Sequence, residues 1–230
     1  MRRDGAVGHA ERPLRLRPFR SLLRLVLDPV AHSILRAHMS DTAMRGLLHR
    51  TWRLYLHRLA KVDAPSRLTV GPALVLRLAA STAALHDAPV EQGGTHEQSI
   101  GIVTEVGWAV YRRMGRIPWL LSKLSSRDPA KRLASATLMF RRFPFGPPAY
   151  GWVSKPASGG VVAFDCIRCP VADCLLKARL GDVCVSTFCT LDFPLAEAWG
   201  AKLHRTSSIA AGAPACNFRW HPERYFPDVL

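Results

Sequence analysis

The first 165 residues contain no cysteine. A disulfide framework spread along the chain is therefore excluded, and all the thiol chemistry falls in the last third. Acidic residues are scarce, 17 against 32 basic ones, which favours anionic partners or substrates without specifying a fold. No uninterrupted apolar run reaches the roughly 18 residues that a membrane-spanning helix requires. The best apolar stretch near the start, Phe19 to Leu27, is broken by Arg20 and Arg24 and followed by Asp28 and Pro29, so it lacks the form of an export signal. The expectation is a cytoplasmic protein with reduced thiols. The basic residues show neither a groove-reading motif nor the aromatic interleaving of a base-stacking platform. No nucleic-acid partner and no membrane partner are expected, and the sequence leaves the oligomeric state open.

Six cysteines are present, spaced Cys166-x2-Cys169-x4-Cys174-x9-Cys184-x4-Cys189 with Cys216 further on. Cys166 and Cys169 have zinc-knuckle spacing, but the second C-x-x-C or C-x-x-H pair of a structural zinc site is missing. Upstream, the texture is helical. Ser40 or Asp41 can cap a helix running to about Lys61, whose apolar residues recur at three- and four-residue steps. A second helix is expected from about Pro72 to Leu85, with residues 87–94 as a loop. Thr95 with Gln98 forms a capping box for a third helix to about Arg113, in which Gly101 and Gly107 permit close packing. Asp128-Pro129 starts a fourth helix that ends before Phe143.

Beyond a Pro/Gly-rich joint at 143–148, strands are expected at Tyr150 to Val153 and Val161 to Cys166, then helices at Pro170 to Arg179 and Val185 to Trp199. Further strands follow at Leu203 to Ala210 and Cys216 to Trp220. The reading is α+β: a basic arm over 1–20, a helical region over 21–142, and a cysteine-bearing domain over 143–230 with a small antiparallel sheet packed by helices.

Four short motifs stand in order in that last region: Cys169-Pro170, Cys189-x-x-Asp192, Arg205-Thr206 and Gly212-x-x-x-Cys216-x-Phe218-Arg219. The series resembles the L-2-amino-thiazoline-4-carboxylic acid hydrolase family, bacterial proteins with a helical N-terminal part and a cysteine-bearing C-terminal part. The resemblance implies a hydrolase that opens a small cyclic amidine or amide at a carbon–nitrogen bond with water, with room for a role in specialised metabolism. The chain departs from the family pattern at Asn217, where an acidic residue is common, and in carrying Cys166, Cys174 and Cys184 besides.

Chemically, Cys169 preceding Pro170 can sit at a helix N-terminus, where the dipole favours a thiolate. On a continuous helix, Cys189 and Asp192 share a face, and Asp192 can act as general base or orient a protonated group. Cys169, Cys189, Asp192 and Cys216 are the candidate catalytic set. Arg219, Arg205 and His204 are candidate substrate-binding residues for a small anionic molecule, the arginines through their guanidinium forks. His221 is a spare acid–base candidate, and Cys166, Cys174 and Cys184 read as buried core. The hydrolase reading requires no cofactor. The alternative is a non-catalytic ligand- or metal-binding module, in which Cys169, Cys189, Asp192 and Cys216 would hold zinc or iron.

Overall fold

The protein is seen here in a computed structural model, which describes residues 17–63 and 68–223. It is α+β, as the sequence suggests. Five helices come first: α1 (Arg17–Leu35), α2 (Asp41–Ala60), α3 (Val70–Val90), α4 (His96–Ser125) and α5 (Pro129–Arg142). The strands β1 (Gly151–Ser154) and β2 (Val162–Arg168) lead into α6 (Pro170–Lys177) and α7 (Gly181–Cys184). A π turn (Val185–Cys189), α8 (Asp192–Ala198), β3 (Ala201–His204) and β4 (Cys216–Pro222) complete the chain. Among the described residues no helix is long and apolar enough to cross a membrane.

Capping sets most helix starts. Ser40 caps α2, Thr95 and Gln98 form the expected capping box on α4, and Asp128 accepts from the backbone N–H groups of Ala130 and Lys131 ahead of Pro129. Most of the basic arm lies outside the described residues, but Arg17 already opens α1. Two helices outrun their sequence signals. α3 continues through Pro89, and α4 continues through Pro118. Beyond Pro118, Trp119 is buried in a cluster with Leu195 and Trp199, and that burial offsets the hydrogen bond the proline removes. Next to the proline, Gly115 O accepts from Trp199 Nε1 at 3.0 Å. The closest approach occurs at Gly115, where a Cβ would run into Leu195 Cδ1; of the two glycines expected to pack closely, Gly107 faces Leu191 and Thr187, whereas a Cβ at Gly101 meets nothing.

The sheet is antiparallel in the order β1-β2-β4-β3. Its register pairs Cys166 with Cys216, Phe164 with Phe218 and Val162 with Trp220. Period-two alternation puts those residues, with Trp152 and Leu203, on the inner face under α5 and α8. A second core joins α2, α3 and α4 to α6, α7 and the 3-10 turn Ile209–Ala211, so the helical and cysteine-bearing segments pack through shared apolar residues such as Val75, Leu175 and Val183.

The strand expected over Leu203 to Ala210 stops at His204. The next backbone donors are taken by a side chain: Asn217 Oδ1 accepts from Thr206 N at 2.9 Å, Ser207 N at 2.8 Å and Ser207 Oγ at 2.9 Å, while Asn217 Nδ2 donates to Thr206 Oγ1. Asn217 thus peels residues 205–208 off the sheet. It faces Asp165 across the ladder, where an acidic residue would set like charges opposite one another. We expect Asn217→Asp to cost under about 1 kcal/mol, the usual size of such a cross-strand repulsion. Asn217→Leu, which leaves the loop donors unmet, is expected to cost about 1–3 kcal/mol. Urea midpoints at constant m-value check both.

Candidate functional site

A cavity of about 90 Å³ lies between the inner sheet face and the helices. Trp152, Phe164, Phe218 and Trp220 line it from the sheet, with Cys166 and Cys216 among them. Phe140 and Arg141 of α5, Tyr111 of α4, Cys169 at the start of α6, Cys184 at the end of α7 and Trp199 after α8 contribute further wall. Phe188 and Cys189 come from the π turn, and Asp192 and Arg205 complete the polar side.

The helix expected from Val185 to Trp199 is interrupted, for a local reason. Pro194 has no N–H to give to Thr190 O, so it fits only in the first turn of a new helix, α8. Upstream, Thr190 N donates to Val185 O in the five-residue step of a π turn. Such turns recur at functional sites because they re-aim one side chain. Cys189 and Asp192 therefore do not share one helix face, yet both reach the cavity.

Asp192 is 8% exposed and both its oxygens are engaged. Tyr111 Oη donates to Oδ1 at 2.5 Å, and Arg205 Nη1 donates to Oδ2 at 2.6 Å. Arg205 Nη2 reaches Cys189 O at 2.5 Å, and the guanidinium lies 5.1 and 5.2 Å from the ring centroids of Phe193 and Phe218. Burial holds the Asp192 carboxyl above its ordinary value despite Arg205 and Tyr111, and burial, then the Asp192 charge, pushes the Tyr111 phenol up.

The thiols differ sharply. The neighbouring Cys184 thiol holds Cys189 below the ordinary thiol value, at about 7, aided by the Ser208 hydroxyl 3.3 Å from Sγ and by the Arg205 cation, against burial and the Asp192 charge. Its donor Cys184 is correspondingly pushed up. Burial raises Cys166 to about 12 and also raises Cys216, whose Sγ accepts from Ile209 N at 3.2 Å. Cys169 is the N-cap of α6, as the sequence suggested, but its side chain makes no cap bond and burial raises it well above the usual thiol value. The helix-dipole argument for Cys169 fails because desolvation of the thiolate outweighs one short helix.

The structure thus brings Cys169, Cys189, Asp192, Cys216 and Arg205 to one cavity and leaves two expected residues out of it. Arg219 and His204 sit on the outer sheet face, since each alternates with an inward neighbour. Arg219 Nη1 bonds Asp165 at 2.9 Å, and the His204 ring lies 4.6 Å from His221. Neither contributes to the cavity wall, and His221 shares their face. Cys166 and Cys184 are buried as expected but are not mere filler, because they line the cavity. Cys174 lies elsewhere, beside Arg58 and Lys177. Among the described residues no three His, Cys, Asp or Glu side chains are placed to hold a metal ion. The proposed zinc or iron set of Cys169, Cys189, Asp192 and Cys216 therefore lacks convergent geometry, and Asp192 is already committed to Arg205 and Tyr111.

Sequence reasoning missed three contributors. Tyr111 carries no motif. Ser208 matters only because residues 205–208 leave the sheet. Arg141 reads as an ordinary basic residue in the last turn of a helix, yet its guanidinium lies 4.2 Å over the Phe164 ring and has no hydrogen-bond or carboxylate partner among the described residues, its Nε being buried. The buried Tyr150 Oη and Trp220 Nε1 also lack partners and belong to the same wall. Unmet buried donors clustered at one cavity call for an acceptor-rich occupant.

Residues 119–220 match the family model of L-2-amino-thiazoline-4-carboxylic acid hydrolase. The matched stretch carries every cavity thiol together with Asp192, Arg205 and Arg141, and excludes Tyr111. It points to a hydrolase-like function. No curated protein and no solved structure matches the chain.

Thiol reactivity at the cavity should follow these environments. With limiting iodoacetamide and peptide mapping by mass spectrometry, Cys189 labelling is expected to rise as pH climbs through about 7 and then level off, because the thiolate is the reactive form. Cys166 is expected to stay unlabelled at pH 8.

Proposed function

We propose that the protein is a thiol-dependent hydrolase of the L-2-amino-thiazoline-4-carboxylic acid hydrolase type, opening a small anionic cyclic amidine or amide at a carbon–nitrogen bond. The observation that carries this reading is the meeting, in one cavity, of the Cys189 thiol, in contact with the Ser208 hydroxyl, and a guanidinium that has no hydrogen-bond or carboxylate partner among the described residues. Cys189 supplies the nucleophile and Arg141 the counter-charge for a substrate carboxylate.

The steps balance with water alone. The Cys189 thiolate adds to the amidine carbon, forming a carbon–sulfur bond. The adduct collapses by breaking the ring carbon–nitrogen bond, and the ring nitrogen leaves as an amine with a proton relayed from Ser208, the hydroxyl in contact with Sγ. A thioimidate remains on Cys189. Water adds to its carbon and returns a proton to Ser208, and the sulfur is expelled again as thiolate, leaving the carbonyl of the opened product. Arg205, which keeps further N–H groups beyond the two bonded to Asp192 and Cys189 O, steadies negative charge at the reacting carbon. Asp192 is here a positioning residue rather than a base: both its oxygens are occupied, and it fixes Arg205 and Tyr111 against the π turn.

For a 2-aminothiazoline ring the same adduct can release nitrogen or sulfur, and a free-thiol assay on the product tells which bond broke. With 2-amino-thiazoline-4-carboxylate as probe, C–N opening yields no new thiol. Cys189→Ser is expected to lower kcat by roughly three orders of magnitude or more. Arg141→Met is expected to raise KM roughly 10- to 100-fold, the size of one charge-assisted hydrogen bond, with kcat little changed. Retained turnover in Cys189→Ser, with unchanged circular dichroism, removes the assignment.

A further inference from the structure

A second cavity, of about 70 Å³, lies against the first. Tyr111, Phe145 and Phe188 belong to the walls of both, so the partition between them is made of side chains. The second chamber is lined by Leu27 and Ala31 of α1, Leu48 of α2, Leu78 of α3, and Val106 and Val110 of α4. Three of its hydroxyls are turned into their own helices. Thr51 Oγ1 donates to Leu47 O at 2.9 Å, Ser81 Oγ to Leu78 O at 2.8 Å and Thr187 Oγ1 to Val183 O at 2.6 Å. The Asp28 carboxylate takes Trp52 Nε1 at 2.6 Å and Arg24 Nε at 3.3 Å. What faces the space is hydrocarbon, a surface that holds apolar ligands and leaves water without partners.

Most of this wall belongs to residues before Trp119, outside the stretch matched to the hydrolase family, with Phe145, Thr187, Phe188 and Leu191 the exceptions. A single-ring amino acid seated at Cys189 would leave the chamber empty. We infer that the substrate carries a hydrocarbon tail, an acyl or alkyl chain, that lies in this chamber while its cyclic polar head sits at Cys189. This rests on the reading of Cys189 as the reactive thiol. Phe188 and Phe145 are the side chains a tail would pass, since Tyr111 is tied to Asp192.

The chamber can be tested without the natural substrate, using methyl, butyl and octyl methanethiosulfonates. In this reaction the thiolate attacks the sulfenyl sulfur, forms a disulfide and expels the sulfinate. Peptide mapping reads the rate at Cys189 itself. The octyl reagent is expected to label Cys189 at least ~10-fold faster than the methyl reagent, the equivalent of about two buried methylenes. Val106→Phe and Ser81→Leu, which fill the chamber from α4 and from α3, are expected to abolish that advantage and leave the methyl rate unchanged. Equal rates for the three reagents in the native protein overturn the inference, whatever the variants do. So does an octyl preference that survives either plug in a folded variant. The nucleophile assignment is judged separately, by turnover of the thiazoline acid in Cys189→Ser. The chamber can therefore fail while the hydrolase stands, and the reverse.

Discussion

The Asp192–Arg205 ion pair is the interaction on which the arrangement depends. Both side chains are almost wholly withdrawn from solvent, at 12% and 5% exposure. Removing one partner of such a pair typically costs about 3–5 kcal/mol, because the other is left charged and unsolvated. Its importance lies less in net stability than in what it ties together. Through Tyr111 it holds α4; through the bond from Arg205 to Cys189 O it holds the π turn; through the Phe218 ring it rests on β4. Four separate parts of the chain are registered against one another at the point where Cys189 enters the cavity. A hydrophobic replacement could fill the same volume but could not fix the direction of the carbonyl that positions that residue.

Arg205 follows Ala201 and Leu203 on the inward side of the alternation, and the chain leaves the sheet just beyond it because Asn217 takes the backbone donors of Thr206 and Ser207. The position that departs from the family's common acidic residue thus has a structural account. Its oxygen meets the loop donors as a carboxylate would, and its neutrality suits the Asp165 side chain opposite, which already has Arg219 and Lys155 for partners. Residue 217 lies on the sheet face away from the cavity, so its identity bears on the loop rather than on substrate charge.

Local signals made much of the fold legible in the sequence. Ser40, Thr95 with Gln98, and Asp128-Pro129 announce helix starts because the partners that satisfy them lie two or three residues away. The alternation Cys216, Phe218, Trp220 announces a strand face for the same reason. That alternation also foretells that Arg219 points outward, whatever motif contains it. The failures occur where the deciding partner is distant in sequence. Nothing near Pro118 signals that Trp119 will be buried with Leu195 and Trp199, and nothing near Leu203 signals that Asn217 will peel the loop away. The site shows the same division. Cys189, Asp192 and Arg205 could be named from short motifs, whereas Tyr111 and Arg141 are visible only once α4 and α5 are laid against the sheet. Which thiol ionises was equally hidden. Cys169 has the better sequence argument, but the Cys184 thiol and the Ser208 hydroxyl act on Cys189, and both belong to other elements.

The two cavities draw mainly on different halves of the chain. The matched stretch supplies thiols, cations and aromatic rings, groups whose placement is set by hydrogen bonds and strand register and which tolerate little drift. The helices before it supply branched aliphatic surface, which is non-directional and can change volume by single substitutions while the helices keep their capped ends. On the proposed reading, chemistry on the sheet side and ligand shape on the helical side can therefore vary independently. Only Tyr111, Phe145 and Phe188 answer to both, since each is a wall of the reactive cavity and of the apolar one. Tyr111 is held by Asp192 and cannot adapt without disturbing the ion pair. Phe145 is tied as well, since Trp152 Nε1 donates to its carbonyl and its ring packs edge-on against Tyr111, Phe140 and Tyr150. If the polar head and the apolar remainder of one molecule are read together, it is at this three-residue partition, and the freedom to admit different tails rests chiefly with Phe188.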